Sequence, residues 1–180
     1  MVKVFPLIFV LLWSSAFITT KPIIDNSDPF SALAFRFLIV AIGFFLFSIY
    51  LKQKIIINQK NFTNSFFSGV LFHGLYLGGV FFSISKGMPT GIAALIVTLQ
   101  PILTNALSGP ILNEKVSIKQ WIGVLLGFIG AALVLGFDVG SSIPILGLVA
   151  TIVALIAITT STIWQKKLSN NLPLPVSNMY

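Results

Sequence analysis

A polytopic, all-α bundle of transmembrane helices, with about six spans, is the fold class this sequence predicts, and three observations predict it. Of the 180 residues 56% are hydrophobic and only 8% charged, against about 25% charged in soluble domains. Mean hydropathy is +1.00, so a water-soluble surface of ordinary composition cannot be built from these residues. The apolar residues also fall into runs of about 20, the length that crosses a hydrocarbon core, separated by Lys, Asp, Asn and Pro.

The six runs are Val4–Thr20, Phe30–Leu51, Phe66–Ser85, Thr90–Leu112, Ile118–Phe137 and Ile143–Trp164. The first, with Lys3 before it and "SSA" within it, has the outline of a signal peptide; its apolar run continues to Thr20 and five spans follow, so it reads as a retained helix. The second carries Arg36 inside "FSALAFRFLIVAIGFFLFSIY", where a charge needs a partner or a route to the interface. Asp28, two turns earlier, could pair with it at the rim; alternatively Arg36 faces the bundle interior and takes an anionic group, which its fork geometry suits. The third holds His73 in "VLFHGLY", the one span residue that titrates near neutral pH, and no Asp or Glu lies in any span.

Span four contains Pro101 in "TLQPILTN", which should kink the helix. Thr98, Gln100, Thr104 and Asn105 around it form the most polar mid-membrane patch, so a cavity is expected there. Span five should open with a capping box, Ser117 with Gln120. Small residues four apart, Gly74 and Gly78 in span three and Gly123, Gly127 and Ala131 in span five, predict close helix packing.

Loop lysines set the orientation. Lys3, Lys52, Lys54, Lys60, Lys115, Lys119, Lys166 and Lys167 share one side if the spans alternate, against Lys21 and Lys86 with Asp25, Asp28 and Asp138 on the other. This predicts a multi-pass protein of the plasma or inner membrane with a cytoplasmic N-terminus, and makes the "NFT" at Asn61 a chance glycosylation match. The formal charge of +7 is scattered rather than clustered on one face, which argues against nucleic acid as a partner. The chain has no cysteine, so disulfides and thiolate ligands are excluded, and no metal or cofactor motif is present. "SISK" at Ser83–Lys86 matches the S-x-x-K of acyl-transfer enzymes without its companion motifs; the expectation is not an enzyme.

The segment "AALIVTLQPILTNALSGPILNEKVSIKQWIGVLLGFIGAALVLG", with Pro101, Glu114, Gly123, Gly127 and Gly130, resembles the end of an EamA-type repeat of the drug/metabolite transporter superfamily. "LLWSSAFITTK" resembles that family's first helix and "ALAFRF" its second, so the resemblance covers residues 4–137. It implies two inverted five-helix repeats that export a small organic metabolite by alternating access, with a small-molecule solute and the lipid bilayer as partners and no cofactor. Residues 1–137 would form the first repeat and 143–180 the start of an inverted second one, since "VALIAITTSTIWQKK" echoes the first helix; four further spans, or a second copy of the chain, would complete it. The residues expected to bind solute are Trp13, Ser14, Ser15, Arg36, His73, Tyr76, Gln100 and Asn105. The rival expectation is a non-transporting subunit or remnant that packs on a partner membrane protein through its glycine-rich faces.

Overall fold

Short polar side chains and prolines between the apolar runs set the helix ends. The computed structural model describes residues 4–113, 116–135, 143–168 and 173–179; Lys3, Glu114, Lys115, Phe137 and Asp138, which the sequence reading uses, lie outside them. Helix α1 is Phe5–Asn26 and α2 is Pro29–Tyr50. Between them Asp28 caps α2, its Oδ1 accepting from the Phe30 N–H at 3.1 Å and the Ser31 N–H at 2.8 Å, with Pro29 in the first turn, where its missing N–H is not needed. The Ser31 backbone bond holds the Asp28 carboxyl below the usual carboxylate range. Asn58 caps α3 (Gln59–Gly69) in the same way, through the Asn61 N–H at 2.8 Å.

A π-helical segment, Val70–Leu77, continues α3 into α4, Gly78–Ser85. Helix α5 (Thr90–Val97) and α6 (Gln100–Leu112) are one span broken at Thr98 and Leu99. Pro101 has no N–H to give the preceding turn, so it sits in the first turn of α6, and the Leu99 N–H reaches only back to Ile96 O. Asn113 ends α6 at φ 54°, a left-handed position that asparagine tolerates. Helix α7 is Ile118–Leu135, α8 Ile145–Leu168 and α9 Leu174–Met179. Ser117 and Gln120 close the expected capping box: the Ser117 N–H donates to Gln120 Oε1 at 2.8 Å, and the Gln120 N–H to Ser117 Oγ at 3.3 Å.

Four described helices are long and apolar enough to cross a membrane: Pro29–Tyr50, Gln59–Ser85, Thr90–Leu112 and Ile145–Lys166. Helices α1 and α7 stand where the first and fifth spans are expected. Large apolar side chains face outward along α1, α2 and α7, among them Leu11, Ile18, Phe35, Leu38, Leu126 and Leu133, as a lipid-facing surface requires.

The core forms around α8, which packs on the π segment, α4, α5 and α6. Tyr76, Val80, Ile84, Met88, Ala93, Val97, Ala154, Ala157 and Ile158 make up the buried apolar cluster. The closest approach is between α4 and α8, at different glycines from those the spacing pointed to. A Cβ on Gly79 would stand 3.1 Å from the Ala150 carbonyl oxygen and 3.1 Å from Ala154 Cβ, whereas one on Gly74 would meet nothing nearer than Val70 Cγ1 at 3.9 Å. Gly78 faces the Phe30 ring, and Gly123 and Gly127 meet nothing within 4 Å, so the glycines of α7 form no tight seam among the described residues. Two hydroxyls close the α4–α8 contact. Ser83 Oγ lies 2.7 Å from Gly147 O and 2.6 Å from Thr151 Oγ1, which is itself 2.9 Å from Gly147 O. One proton therefore goes to the carbonyl and the other joins the two oxygens. Ser83, the serine of "SISK", is a fully buried structural bond, and Lys86 of the same motif lies over the Phe82 ring.

Gly79→Val should lower the stability of the detergent-solubilised protein by about 1–3 kcal/mol, the usual cost of overpacking, read as a fall in thermal midpoint. Gly127→Ala should lower nothing, and a clear drop there would mean that α7 is a packed seam after all.

Candidate functional site

Among the described residues, a cleft of about 290 Å³ opens between α1, α2, the π segment and α4. Helix α1 lends Leu12, Trp13, Ala16, Phe17 and Thr20, a spacing that keeps one face toward the cleft. Arg36, Phe37 and Val40 of α2 form the opposite wall. The floor is Phe72, His73, Tyr76 and Leu77 from the π segment with Val80 and Phe81 from α4. A π segment bonds i to i+5 rather than i to i+4 and is frequent at functional sites; here Phe72, His73, Tyr76 and Leu77 line the cavity at the same spacing as Leu12, Trp13, Ala16 and Phe17 of α1.

The walls are aromatic and the polar groups few. The His73 ring lies between two phenylalanines, 4.7 Å from Phe37 and 5.1 Å from Phe72. Phe72 in turn meets Tyr76 edge-on at 5.4 Å, and Tyr76 is buried in the core. The Thr20 hydroxyl donates to Ala16 O at 2.6 Å, which spends its proton within α1.

Among the described residues, Arg36 is the one lysine or arginine in the lining, and no carboxylate lines it. The rim pairing with Asp28 is not formed: Asp28 is engaged in capping α2, and the ion pair among the described residues is Lys21 with Asp25 on α1. That pair is half exposed at both ends, a setting in which ion pairs add little stability. Among the described residues no carboxylate faces the Arg36 guanidinium, whose fork geometry suits a carboxylate. No group of three or more metal-ligating side chains is present among the described residues.

Of the eight residues expected to bind solute, the cleft gathers Trp13, Arg36, His73 and Tyr76. Ser14 and Ser15 follow Trp13 by one and two positions, which rotates them off the α1 face that lines the cleft; Ser15 Oγ bonds back to Leu12 O at 2.8 Å. Gln100 Nε2 reaches Thr104 Oγ1 and Thr162 Oγ1, each at 3.3 Å, and so ties α6 to α8. Asn105 is half-buried on the same helix. Of the polar patch around Pro101, Gln100 therefore serves a helix contact and Thr98 bonds back to Leu95 O at 2.6 Å, and the patch lines no part of this cleft. Phe37, Phe72 and Thr20 belong to the lining without having been singled out in the sequence. Phe37 adjoins Arg36 and Phe72 adjoins His73, but each is one phenylalanine among 17, and only packing marks it.

Residues 3–136 match the EamA-like transporter family. A "Probable amino-acid metabolite efflux pump" of Salmonella typhimurium is 26% identical over 170 residues, 94% of this chain and 54% of that protein. A protein of the same description from Escherichia coli is 25% identical over 178 residues, 96% of this chain and 56% of its own length. An uncharacterised transporter of Bacillus subtilis is 28% identical over 128 residues, 68% of this chain and 40% of its own length. The chain thus spans about half the length of the curated relatives it matches most fully. No solved structure matches it.

A double-mutant cycle on Asp28→Asn and Arg36→Gln should give a coupling energy within about 0.5 kcal/mol of zero, measured by thermal or denaturant unfolding in detergent. A coupling above about 1 kcal/mol would restore the rim ion pair.

Proposed function

The chain belongs to the EamA-like transporter family, and from that premise we propose that it forms the solute-handling half of an exporter for a small organic metabolite bearing a carboxylate. The observation that carries this reading is Arg36, a cation in an aromatic cleft with no carboxylate beside it among the described residues. In the proposed complex the solute's carboxylate sits against the Arg36 fork, its apolar body lies against Trp13 and Phe37, and His73 and Tyr76 orient it. The description "amino-acid metabolite efflux pump" carried by two relatives agrees with such a solute. Transport proceeds by rocking between inward-open and outward-open states, with residues 1–137 as one repeat and 143–180 as the start of an inverted one, completed by further spans or by a second copy. The lysine distribution supports a plasma-membrane protein with its N-terminus in the cytoplasm.

Uptake of radiolabelled amino acids and their N-acyl derivatives into proteoliposomes tests the function. Arg36→Gln and Arg36→Lys should insert and fold, and should reduce apparent solute affinity by about tenfold or more, which corresponds to about 1.4 kcal/mol. Wild-type flux by folded Arg36→Gln refutes the role of Arg36. No flux by any variant or by wild type, in a preparation that includes whatever completes the second repeat, favours a non-transporting subunit.

Orientation has its own test. The chain has no cysteine, and Ile56 between α2 and α3 is 80% exposed. Ile56→Cys should resist a membrane-impermeant maleimide on intact cells and react once the cells are opened; ready labelling from outside would reverse the topology.

A further inference from the structure

A second cavity, of about 560 Å³, lies between α2, α3, the π segment, the end of α8 and α9. Along the span Gln59–Ser85 it takes its lining from residues 64–74, and the Arg36 cleft takes its own from residues 72–81. The two spaces therefore follow one another along the bundle and meet at one level. Four side chains, Phe37, Val40, Phe72 and His73, line both and form the partition.

Phe37 comes from α2, Phe72 and His73 from the π segment, and the two backbones have other main partners. Helix α2 packs chiefly on α9, α4 and α1, the π segment on α8, α4 and α3. Side chains close the space between them. The Phe37 ring tilts against His73 at 4.7 Å, and His73 meets Phe72 edge-on at 5.1 Å. Ring contacts hold this layer, whereas close backbones and shared hydroxyl bonds hold the α4–α8 seam. Ring contacts are the weaker of the two, and the rings have other staggered rotamers to turn into.

We propose that Phe37, Phe72 and His73 form a movable barrier across a single solute path, with the Arg36 cleft on one side and the second cavity as its vestibule on the other. Closed, the aromatic layer stops hydrated ions, as apolar constrictions do. Turning the Phe37 and His73 rings apart joins the two spaces without a shift of α4 against α8. A solute leaving the Arg36 fork then passes the His73 ring, whose nitrogens offer it a hydrogen bond at the narrowest point. As a barrier on a transport path it rests on the transport reading; thiol labelling rather than flux is the main readout, so the two fail separately.

The chain has no cysteine, so single cysteines report on each space. Asn64 lines the second cavity and Ala16 the cleft. The full chain in membrane vesicles is treated with sulfonatoethyl methanethiosulfonate, a small anionic thiol reagent that does not cross lipid. Asn64→Cys should react from one face, and from that face Ala16→Cys should react slowly. Adding Phe37→Ala to Ala16→Cys should speed its reaction from that face by about tenfold or more, while Phe37→Leu, which keeps the apolar bulk, should leave it slow. In proteoliposomes, a short bifunctional thiosulfonate joining Phe37→Cys to His73→Cys should abolish flux, and reduction of the cross-link should return it. Asn64→Cys that reacts from neither face overturns the proposal, as does Ala16→Cys labelling that Phe37→Ala leaves unchanged. Equal labelling in Phe37→Leu and Phe37→Ala would mean a loosened bundle rather than an opened layer, and flux that survives the cross-link would mean a fixed wall; either also overturns it. The expected labelling in a chain without flux would uphold the barrier and count against the transport reading alone.

Discussion

The contact of α4 with α8 holds the bundle together, because it is where two backbones come close enough for a carbonyl and two hydroxyls to settle one another's hydrogen bonds. Gly79 leaves no room for a side chain against Ala150 and Ala154, and Gly147 leaves none against Met88 and the Ser83 carbonyl. Lipid gives apolar helices no hydrophobic reason to associate, so close packing and shared hydrogen bonds must do it. Ser83, Thr151 and the Gly147 carbonyl supply those bonds where the helices are nearest. Further along α8, Ser161 and Gln165 repeat the device with Ser68 of α3, and Thr162 does so with Gln100 of α6.

With α8 tied to α3, α4 and α6, the other helices are free to serve the cavities. Helices α1 and α2 lean on α4 through fewer contacts and leave between them the space that Trp13, Arg36 and Tyr76 line. The π segment packs on α8 and also lines the cleft with Phe72, His73, Tyr76 and Leu77. The same residues, His73 with Phe37 and Phe72, line the second cavity too.

Charge placement follows the same economy. The two described carboxylates are committed at helix ends, Asp28 to the α2 N-terminus and Asp25 to Lys21. Arg36 is left to the cleft.

The residue types and their runs determined that this is a helical membrane protein and to which family it belongs, while helix bounds moved: α1 runs on to Asn26 rather than Thr20, and the third span starts at Gln59 rather than Phe66. The first two are local matters: hydropathy over 20 residues, the capping box at Ser117, the break before Pro101, and a pattern of prolines and glycines; the caps at Asp28 and Asn58 emerged only in the structure. Arg36, His73, Trp13 and Tyr76 were legible as candidates because a polar or aromatic group is costly or conspicuous in such runs. The partners of each face were not legible. Gly79 and the small residues of α8 at Gly147, Ala150, Ala154, Ala157 and Ser161 form the seam, while the equally regular glycines of α7 do not. Ser14 and Ser15 turn away from the cleft that Trp13 lines, and Gln100 is drawn into a helix contact. Periodicity states which residues share a face; which face meets another helix, and which is left to a cavity or to lipid, is decided only when all the helices pack at once.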